Sequence, residues 1–309
     1  MIGLGLLLGL VAVACGSAAP PEEVIVEKIV EKEVIVVATP TPVPIPEGGF
    51  MSVDKFNIMI TSQGNEIFNS KYGTAENNLY QRLAQVWLVG GAFKGGTLVL
   101  DPTTGTSNSW KIVDDGNGWE FTIRKGIKFH NGTELTVEDV AFGFNYSFND
   151  QDSGVSTVRM AREVDNMKVT GPDTFRVTFT KPLSFFATAM SEIDNPAQGI
   201  TVSKDYWLSL PMGAAVKNCD PQDVCRQAAA FEANPDPGLP GSYRVVHHLP
   251  AEEFLYERFE DYFAIDQRPY PFKQISLRLV PEVSTRVAAL PSREIWECPA
   301  SSAGRCWIC

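Results

Sequence analysis

The run WEFTIRKGIKFHNGTELTVEDVAFGFNYSF, residues 119–148, contains several local patterns in succession. Residues 119–123 alternate aromatic or aliphatic side chains with polar ones, which is the period of a half-buried β-strand. Ile127 and Phe129 continue the alternation and predict a second short strand. The pair Asn131-Gly132 then supplies residue types that tolerate a positive φ in a tight reversal. The first half of the run therefore predicts two strands and a turn.

The second half of the run predicts an amphipathic helix. Thr136 with Asp139 three residues later resembles a capping box, with Asp in place of the usual Glu or Gln. The apolar residues that share one face at helical spacing are Val137, Val140, Ala141, Phe144 and Phe148. His130 and Asp139 could form an acid–base pair. We favour structural roles for both, because His130 flanks a turn and Asp139 sits at a positive helix N-terminus.

Composition excludes several functional classes. The chain has 309 residues, 44% of them hydrophobic, which is enough for one large or two ordinary domains. The formal net charge is −11 and Lys and Arg form no basic stripe, so nucleic acid is not an expected partner. There is no nucleophile elbow, P-loop, zinc-protease or dinucleotide-binding motif. We therefore expect no enzyme activity, no cofactor and no metal.

The N-terminal stretch MIGLGLLLGLVAVAC predicts a secretory signal peptide over residues 1–15. It is apolar, too short to span a bilayer comfortably, and ends in small residues. The segment VAVAC resembles a bacterial lipobox, in which the cysteine is lipid-modified after cleavage, so Cys15 is the predicted lipidation site. Ordinary cleavage after Ala14 is the alternative.

Residues 16–49 predict a Pro-rich tether. They join the alternating segment EEVIVEKIVEKEVIVV to ATPTPVPIPEGG, and neither segment can bury a core by itself. Fully extended, they reach roughly 100 Å, which suits a tether that holds a folded domain off a membrane. A leader without a spacing role is the alternative.

From residue 50 onward the composition is that of a globular domain with intermixed strands and helices. Strands are predicted at 55–60, 97–100, 243–247, 253–258 and 274–280 and within 167–180, and residues 110–123 are predicted to contain a hairpin turn. Helices are predicted at 78–86 and 184–191, a polar loop at 61–70, and an irregular region at 205–241. Without a strict βαβ repeat, this order favours a mixed α/β or α+β sheet architecture.

The remaining candidate sites for a metal or a disulfide are weak. Residues 114–118, DDGNG, lack the ligand spacing of a calcium loop and predict a hairpin turn. Cys219 and Cys225 flank a short segment and predict a local disulfide in an exported protein, with two free thiols as the alternative. The pair His247-His248 stands without a cysteine cluster and is not interpreted as a metal site.

The opening run also carries a recognisable motif. W-x-F-x-[IL]-R-x-G-x-x-F-H-x-G-x-x-[LF]-T-x-x-D-V resembles the signature of family 5 extracytoplasmic solute-binding proteins, which serve ABC importers of peptides, nickel and some glycans. The matching residues are Trp119, Phe121, Ile123, Arg124, Gly126, Phe129, His130, Gly132, Leu135, Thr136, Asp139 and Val140.

Two further stretches are similar to the same family. Residues 238–263 resemble its G-T-G-P-Y segment and the strand after it, and residues 277–290 resemble the strand and helix before its A-L-x-x-G-E-x-D turn. The resemblance implies a two-lobed periplasmic-binding-protein-like fold. In that fold the signature marks an accessory subdomain of the first lobe and does not bind ligand, while the solute lies between two closing lobes.

The end of the sequence departs from the family pattern. Arg293 stands where Gly is expected, Pro291 should stop a Ser284-capped helix, and the last residues are rich in Cys and Trp. We therefore expect residues 50–290 to be a first lobe with its accessory subdomain. Residues 291–309 are interpreted as an aberrant tail from a truncation or frameshift, with the second lobe largely absent.

The resemblance implies an extracytoplasmic, lipid-anchored binding protein that delivers peptides or a similar solute to ABC permease subunits. A tethered surface module without a transport role, or a non-functional fragment, is the alternative. A secreted hydrolase using Asp114, Asp115 and Asp139 is disfavoured. Ligands of open α/β sheets gather at the carboxyl ends of strands, so the loop after the first strand supplies the candidate ligand contacts: Ser62, Gln63 and Asn65.

Overall fold

A computed structural model describes residues 54–69, 71, 77–148, 160, 162–193, 201–213, 224–267, 270–289 and 296–297. The chain divides into two units, Met1–Gly49 and Phe50–Cys309. The first unit lies outside the described residues, together with Cys219 and the side chain of Cys225. Lipidation of Cys15, the tether and the disulfide therefore remain predictions.

The second unit contains eleven strands among its described residues. These are β1 (Lys55–Ile60), β2 (Gly90–Lys94), β3 (Thr97–Asp101), β4 (Ser107–Val113), β5 (Gly118–Ile123), β6 (Val164–Gly171), β7 (Thr174–Phe179), β8 (Tyr243–Leu249), β9 (Glu253–Arg258), β10 (Gln274–Leu279) and β11 (Trp296–Glu297).

The α-helices in the same described part are α1 (Asn78–Ala84), α2 (Val137–Phe148), α3 (Phe186–Ala189), α4 (Lys204–Ser209), α5 (Ala228–Ala233) and α6 (Val283–Ala289). Short 3₁₀ turns lie at Asp114–Gly116, Val224–Gln227 and Asp236–Gly238. Within the described residues, none of these helices has the length and apolarity needed to cross a membrane.

The main sheet has five strands in the order β11-β1-β10-β9-β8. β1 runs parallel to β10 and to β11, whereas β9 is antiparallel to both β10 and β8. The predicted mixed α/β architecture is confirmed. The core of this sheet combines strand residues with aromatic side chains from the helices: Ile58, Ile60, Tyr146, Trp207, Phe231, Phe254, Tyr256, Ile275 and Leu277.

The signature run builds a second sheet, which has the order β4-β5-β7-β6 and is antiparallel throughout. Trp119, Phe121 and Ile123 point from β5 into its core, as their alternation predicts. The two antiparallel strands β2 and β3 form a separate hairpin. The core of the second sheet is therefore distinct from that of the main sheet.

Helix α2 packs against both cores. Phe144 lies on the second sheet, with its ring centroid 5.1 Å from that of Phe175. Tyr146, two residues later, packs against Trp207 in the core of the main sheet, with the ring centroids 4.9 Å apart. The one-sided apolar face predicted from spacing is thus incomplete, because a helix buried between two layers is apolar on both sides.

Three local predictions are wrong or incomplete. Residues 127–129 form no strand, only an isolated antiparallel bridge between Lys128 and Glu134. The region 205–241 is not wholly irregular, because α4 and α5 lie within or overlap it. Helix α6 begins at Val283, so the predicted cap Ser284 lies inside its first turn. Separately, Trp296–Glu297 pair with β1 as β11, and the aberrant origin of residues 291–309 stays a prediction.

Candidate functional site

The loop that follows β1, residues 61–69 and here called the β1 loop, leaves the carboxyl end of β1, which lies between β11 and β10 in the main sheet. It contains the three predicted ligand contacts. Ser62 is exposed, and its Oγ accepts the amide of Gly64 at 3.1 Å. Asn65 is also exposed; its amide donates to Asn77 Oδ1 at 3.2 Å, and its own Oδ1 accepts from Asn77 Nδ2. These two side chains therefore have partners within the chain.

Gln63 differs from both neighbours. Its residue is only 2% exposed, and neither Oε1 nor Nε2 has a hydrogen-bond partner in the described part of the chain. A buried amide without partners costs about 1–3 kcal/mol of folding free energy. Unsatisfied buried polar groups are uncommon in native proteins and often mark a site completed by water or a ligand. Of the three predicted contacts, Gln63 is thus the one whose side chain has no hydrogen-bond partner in the described part of the chain.

The carbonyl groups of the β1 loop are held by side chains from α1 and its flanks. Gln81 Nε2 donates to the carbonyl of Ile67 at 2.8 Å, and the hydroxyl of Tyr80 donates to the same oxygen at 3.0 Å. Gln85 Nε2 donates to the carbonyl of Phe68 at 2.7 Å. All of these donors are neutral, so they hold the loop at any ordinary pH.

The last two amides of the β1 loop, those of Phe68 and Asn69, are held by one carboxylate. Glu232, near the end of α5, accepts the amide of Phe68 at 2.6 Å and that of Asn69 at 2.7 Å. Burial raises the pKa of Glu232 to about 7, although the two amide hydrogen bonds act in the opposite direction. Burial and the Glu232 charge also raise the pKa of Tyr80.

A buried polar cluster extends the loop toward α2. Asn69 Nδ2 donates to the hydroxyl of Tyr146 at 2.7 Å, and Asn69 Oδ1 accepts the amide of Lys71 at 3.1 Å. Lys71 is itself buried, with its ammonium 4.5 Å from the centroid of the Tyr146 ring. This arrangement is a cation–π contact in a desolvated site. It links the β1 loop to the helix of the signature run.

The other end of the β1 loop is anchored by Glu66, which has a positive φ of 58°. Its carboxylate accepts from His248 Nε2 at 2.8 Å and from the amide of Ala251 at 3.0 Å. His247 pairs separately with Glu253 at 3.2 Å. Among the described residues no three His, Cys, Asp or Glu side chains are arranged to hold a metal ion.

His130 of the signature run contacts a distant segment rather than Asp139. Its Nδ1 lies 2.8 Å from Asp236 Oδ1 and its Nε2 lies 2.9 Å from the carbonyl of Gly241. Both partners are acceptors, so the geometry fits an imidazolium that donates from both nitrogens. Burial of Asp236 would raise its pKa, but His130, the Val245 amide and Arg244 outweigh burial and lower that pKa.

Asp139 joins the N-termini of two helices. Its Oδ2 accepts the amide of Thr136 at 2.8 Å and the hydroxyl of Thr136 at 2.7 Å, which confirms the capping box of α2. Its Oδ1 accepts the amide of Lys204 at 2.8 Å, at the start of α4. The first turn of each helix thus shares one carboxylate, and both positive helix ends stabilise it.

Other residues of the signature run support its contact with residues 238–263. Gly132 adopts a φ of 86°, as the predicted turn requires. Lys128 forms an ion pair with Asp261 at 2.8 Å, and the Arg124 guanidinium lies 5.4 Å from the Phe263 ring centroid. A side chain at Gly241 would collide with the backbone of Ala84, so the chain needs glycine there. The first two sequence motifs therefore dock on each other.

The three carboxylates considered for a hydrolase each have a structural role. Asp114 and Asp115 lie in the turn between β4 and β5, both with positive φ, and Asp114 pairs with Arg176 at 2.5 Å. Asp139 is committed to the helix N-termini. These positions support the structural interpretation of the motif.

Residues 102–304 match the family model described as bacterial extracellular solute-binding proteins, family 5 middle. The chain belongs to this family. Members of family 5 are binding proteins rather than enzymes, and the signature that identified the resemblance lies within the matched range. The fold and the sequence therefore lead to the same assignment.

Relatives of this family 5 protein include heme-binding protein A of Haemophilus influenzae, which is 22% identical over 241 residues. That match covers 72% of this chain and 38% of the relative. The dipeptide-binding protein of Escherichia coli is 30% identical over 106 residues, covering 32% of this chain and 17% of the relative. The chain thus spans well under half the length of these relatives.

Solved structures share the fold. The oligopeptide-binding protein AppA of Bacillus subtilis, in complex with a nonapeptide, superposes with a TM-score of 0.61 at 18% identity, covering 78% of this chain and 43% of AppA. The periplasmic binding protein DppA of Helicobacter pylori, in complex with the peptide STSA, gives 0.58 at 19% identity, covering 78% and 45%. The matched portion is consistent with one lobe of a two-lobed binding protein.

Sequence reasoning missed several residues of this site. Asp236, Glu232, Lys71 and Tyr146 have no local motif, and each acts through a partner far along the chain. The buried state of Gln63 also has no signal in the polar segment that surrounds it. Only the position of the loop at a strand end pointed toward this region.

Proposed function

We propose that this chain contributes one lobe of the solute-binding component of an ABC importer, and that the solute is a peptide or a similar small molecule. Membership of family 5 supports this role, as do relatives named for dipeptide and oligopeptide binding. The protein delivers its solute to permease subunits in the membrane. It acts outside the cytoplasm, anchored through lipid on Cys15 and held off the membrane by residues 16–49.

The β1 loop is the proposed solute-binding wall of this lobe, with Ser62, Gln63 and Asn65 as its candidate contacts. The observation that carries the proposal is the buried, unpartnered amide of Gln63. An amide side chain donates and accepts at once, which matches the alternating carbonyl and amide groups of a peptide. Ser62 and Asn65 shape the loop around it through their bonds within the chain.

A titration of the 309-residue protein with a mixed library of short peptides, followed by NMR, tests this function. A second lobe would cover the other side of a bound solute, so we expect saturable but weak binding, with Kd of about 1 mM. Gln63→Met should weaken this binding at least tenfold, yet raise the free energy of unfolding by about 1–2 kcal/mol, because an unsatisfied amide is removed.

The exposed residue Gln267 provides the matched control. Gln267→Met should change neither the binding nor the stability. If no peptide binds saturably at about 10 mM, ten times that dissociation constant, the proposal fails. If Gln63→Met binds as the parent does, the solute wall is elsewhere.

A further inference from the structure

Two tight turns meet where the β1 loop contacts the hairpin of β8 and β9. In the first turn, the amide of Glu66 donates to the carbonyl of Gln63 at 3.3 Å, and Gly64 between them has a φ of 62°. In the second turn, the amide of Glu252 donates to the carbonyl of Leu249 at 3.0 Å. The first turn thus carries Gln63, whose side chain has no hydrogen-bond partner in the described part of the chain.

Each turn contains a residue with an unfavourable backbone conformation. Glu66 and Ala251 both have a φ of 58°, in the left-handed region that favours glycine. Neither has the short Asn or Asp side chain that tolerates this region. A strained backbone of this kind persists only where the surrounding structure holds it, and such residues cluster at binding sites and switch regions. The contacts of these two residues therefore show what holds the turns.

One carboxylate joins the two strained positions. Glu66 Oε1 accepts the amide of Ala251 at 3.0 Å, and Glu66 Oε2 accepts from His248 Nε2 at 2.8 Å. Because an ionised carboxylate only accepts hydrogen bonds, His248 Nε2 carries a proton. The Glu66 and His248 side chains are mostly shielded from water, with 22% and 23% of their surface exposed. The hairpin of β8 and β9 thus binds both oxygens of Glu66.

A column of stacked rings fixes His248. Its ring centroid lies 4.1 Å from that of Phe254 at an interplanar angle of 9°, and the Phe254 centroid lies 4.4 Å from that of Tyr80 at 11°. The Tyr80 hydroxyl donates to the carbonyl of Ile67 at 3.0 Å. The two ends of this column therefore hold two successive residues of the β1 loop, Glu66 and Ile67.

We propose that Glu66 and His248 are positioning residues, which fix the turn of residues 63–66 against the hairpin and so hold Gln63 in place for a solute. Asn65 is tied separately to Asn77, which anchors the middle of the turn. The carboxylate fixes the Glu66 end and, through the Glu66 amide, the Gln63 carbonyl. The inference rests on the proposed function only in assigning Gln63 to a solute.

NMR relaxation of the 309-residue protein, without any solute, tests the positioning role. In Glu66→Ala, the backbone order parameters at position 66 and at Gln63 should fall from about 0.85 to below about 0.6, while those of β9 should not change. Glu66→Gln keeps an acceptor oxygen, so its order parameters should lie between those of the parent and Glu66→Ala. The matched control is Glu252→Ala, at an exposed glutamate of the second turn, which should behave as the parent does.

A second pair of variants isolates the histidine. His248→Phe removes the Nε2 donor and keeps a ring that can stack on Phe254, so the order parameter of Glu66 should fall. His247→Phe is the matched control, because the neighbouring His247 pairs with Glu253, and it should have no effect on the turn. If Glu66→Ala does not fold, His248→Phe takes its place, together with the ¹⁵N spectrum of the parent's His248 ring, in which Nε2 must carry a proton.

Peptide titration connects the turn with the solute. Glu66→Ala should weaken the binding of the short-peptide mixture by about tenfold or more, because Gln63 is no longer held in one position. His248→Phe should also weaken it, whereas Glu252→Ala and His247→Phe should bind as the parent does.

Order parameters at residues 63–66 that do not change in Glu66→Ala, or that are equal in Glu66→Ala and Glu66→Gln, would overturn the positioning role. A loss of order without weaker peptide binding, or a His248 Nε2 without a proton, would do the same. The relaxation measurement involves no solute. A parent that binds no peptide therefore rejects the proposed function, while the order parameters by themselves decide whether Glu66 and His248 fix the turn.

Discussion

Replacement of His130 tests whether the family signature holds its fold together through long-range contacts. In His130→Ala, the ring no longer donates to Asp236 at 2.8 Å or to the carbonyl of Gly241 at 2.9 Å. Asp236 keeps the Val245 amide at 2.6 Å and Arg244 at 3.4 Å, whereas the Gly241 carbonyl loses its histidine donor. The contact of the ring edge with Phe259 is lost as well.

The expected loss follows from the burial and charge of these groups. A hydrogen bond to a charged group contributes about 1.5–3 kcal/mol, and removing one partner of a buried ion pair costs about 3–5 kcal/mol. Because Asp236 retains two partners, we expect the lower end of that range. His130→Ala should therefore lower the free energy of unfolding by about 3 kcal/mol at pH 7.

Urea unfolding followed by tryptophan fluorescence measures this loss, provided that the m-value is unchanged. His247→Ala is the matched control, since its ring is partly exposed and makes one contact to Glu253; it should cost under about 1 kcal/mol. A double-mutant cycle with Asp236→Asn should give a coupling of about 1.5 kcal/mol or more. A loss below about 1 kcal/mol, or simple additivity in the cycle, would falsify the long-range role.

The pH dependence supplies an independent check of the same pair. The pKa of Asp236 is lowered in the folded state from its ordinary 3.8. Its stabilising contribution is therefore present above pH 3.8 and is lost as the pH falls through the lower, folded value. The stability difference between parent and His130→Ala should narrow in that acidic range. An unchanged difference at pH 3 would show that the ion pair is not the source.

Two further predictions concern the helix junction and the N-terminus. Asp139→Ala removes the acceptor shared by Thr136 and Lys204 and should lower the free energy of unfolding, measured in urea, by about 2–3 kcal/mol. The control Asp205→Ala, at an exposed residue in the first turn of α4, should lower it by under about 1 kcal/mol. Equal losses in the two variants would contradict a shared cap. Cys15 should carry lipid after expression in a bacterial host, and mass spectrometry of the mature N-terminus can check this. An unmodified Cys15, or cleavage at another position, rejects the lipid anchor.

Local patterns determined much of the secondary structure. The alternation at Trp119, Phe121 and Ile123 predicted β5, and Thr136 with Asp139 predicted the cap of α2. These signals succeed because strand period and helix capping depend on residues a few positions apart. The same spacing in the signature run pointed to the family before any tertiary contact was considered.

Tertiary structure decided what these residues do. Spacing predicted one apolar face for α2, but the helix lies between two cores and buries Tyr146 on its other side. The region 205–241 looked irregular because α4 and α5 are only one or two turns long and depend on packing around Trp207 and Phe231. Short helices have little stability of their own, so the local sequence predicts them poorly.

The candidate site depended most on the fold. The position of Gln63 after a strand follows from the sequence, but its burial without a partner does not. Glu232 reaches the β1 loop across more than 160 positions of the chain, and His130 reaches Asp236 across more than 100. Periodicity carries no information about such pairs, because they are set by how sheets and helices pack. The sequence alone therefore determined the family and many local elements, whereas packing decided the distant partners of Glu232 and His130.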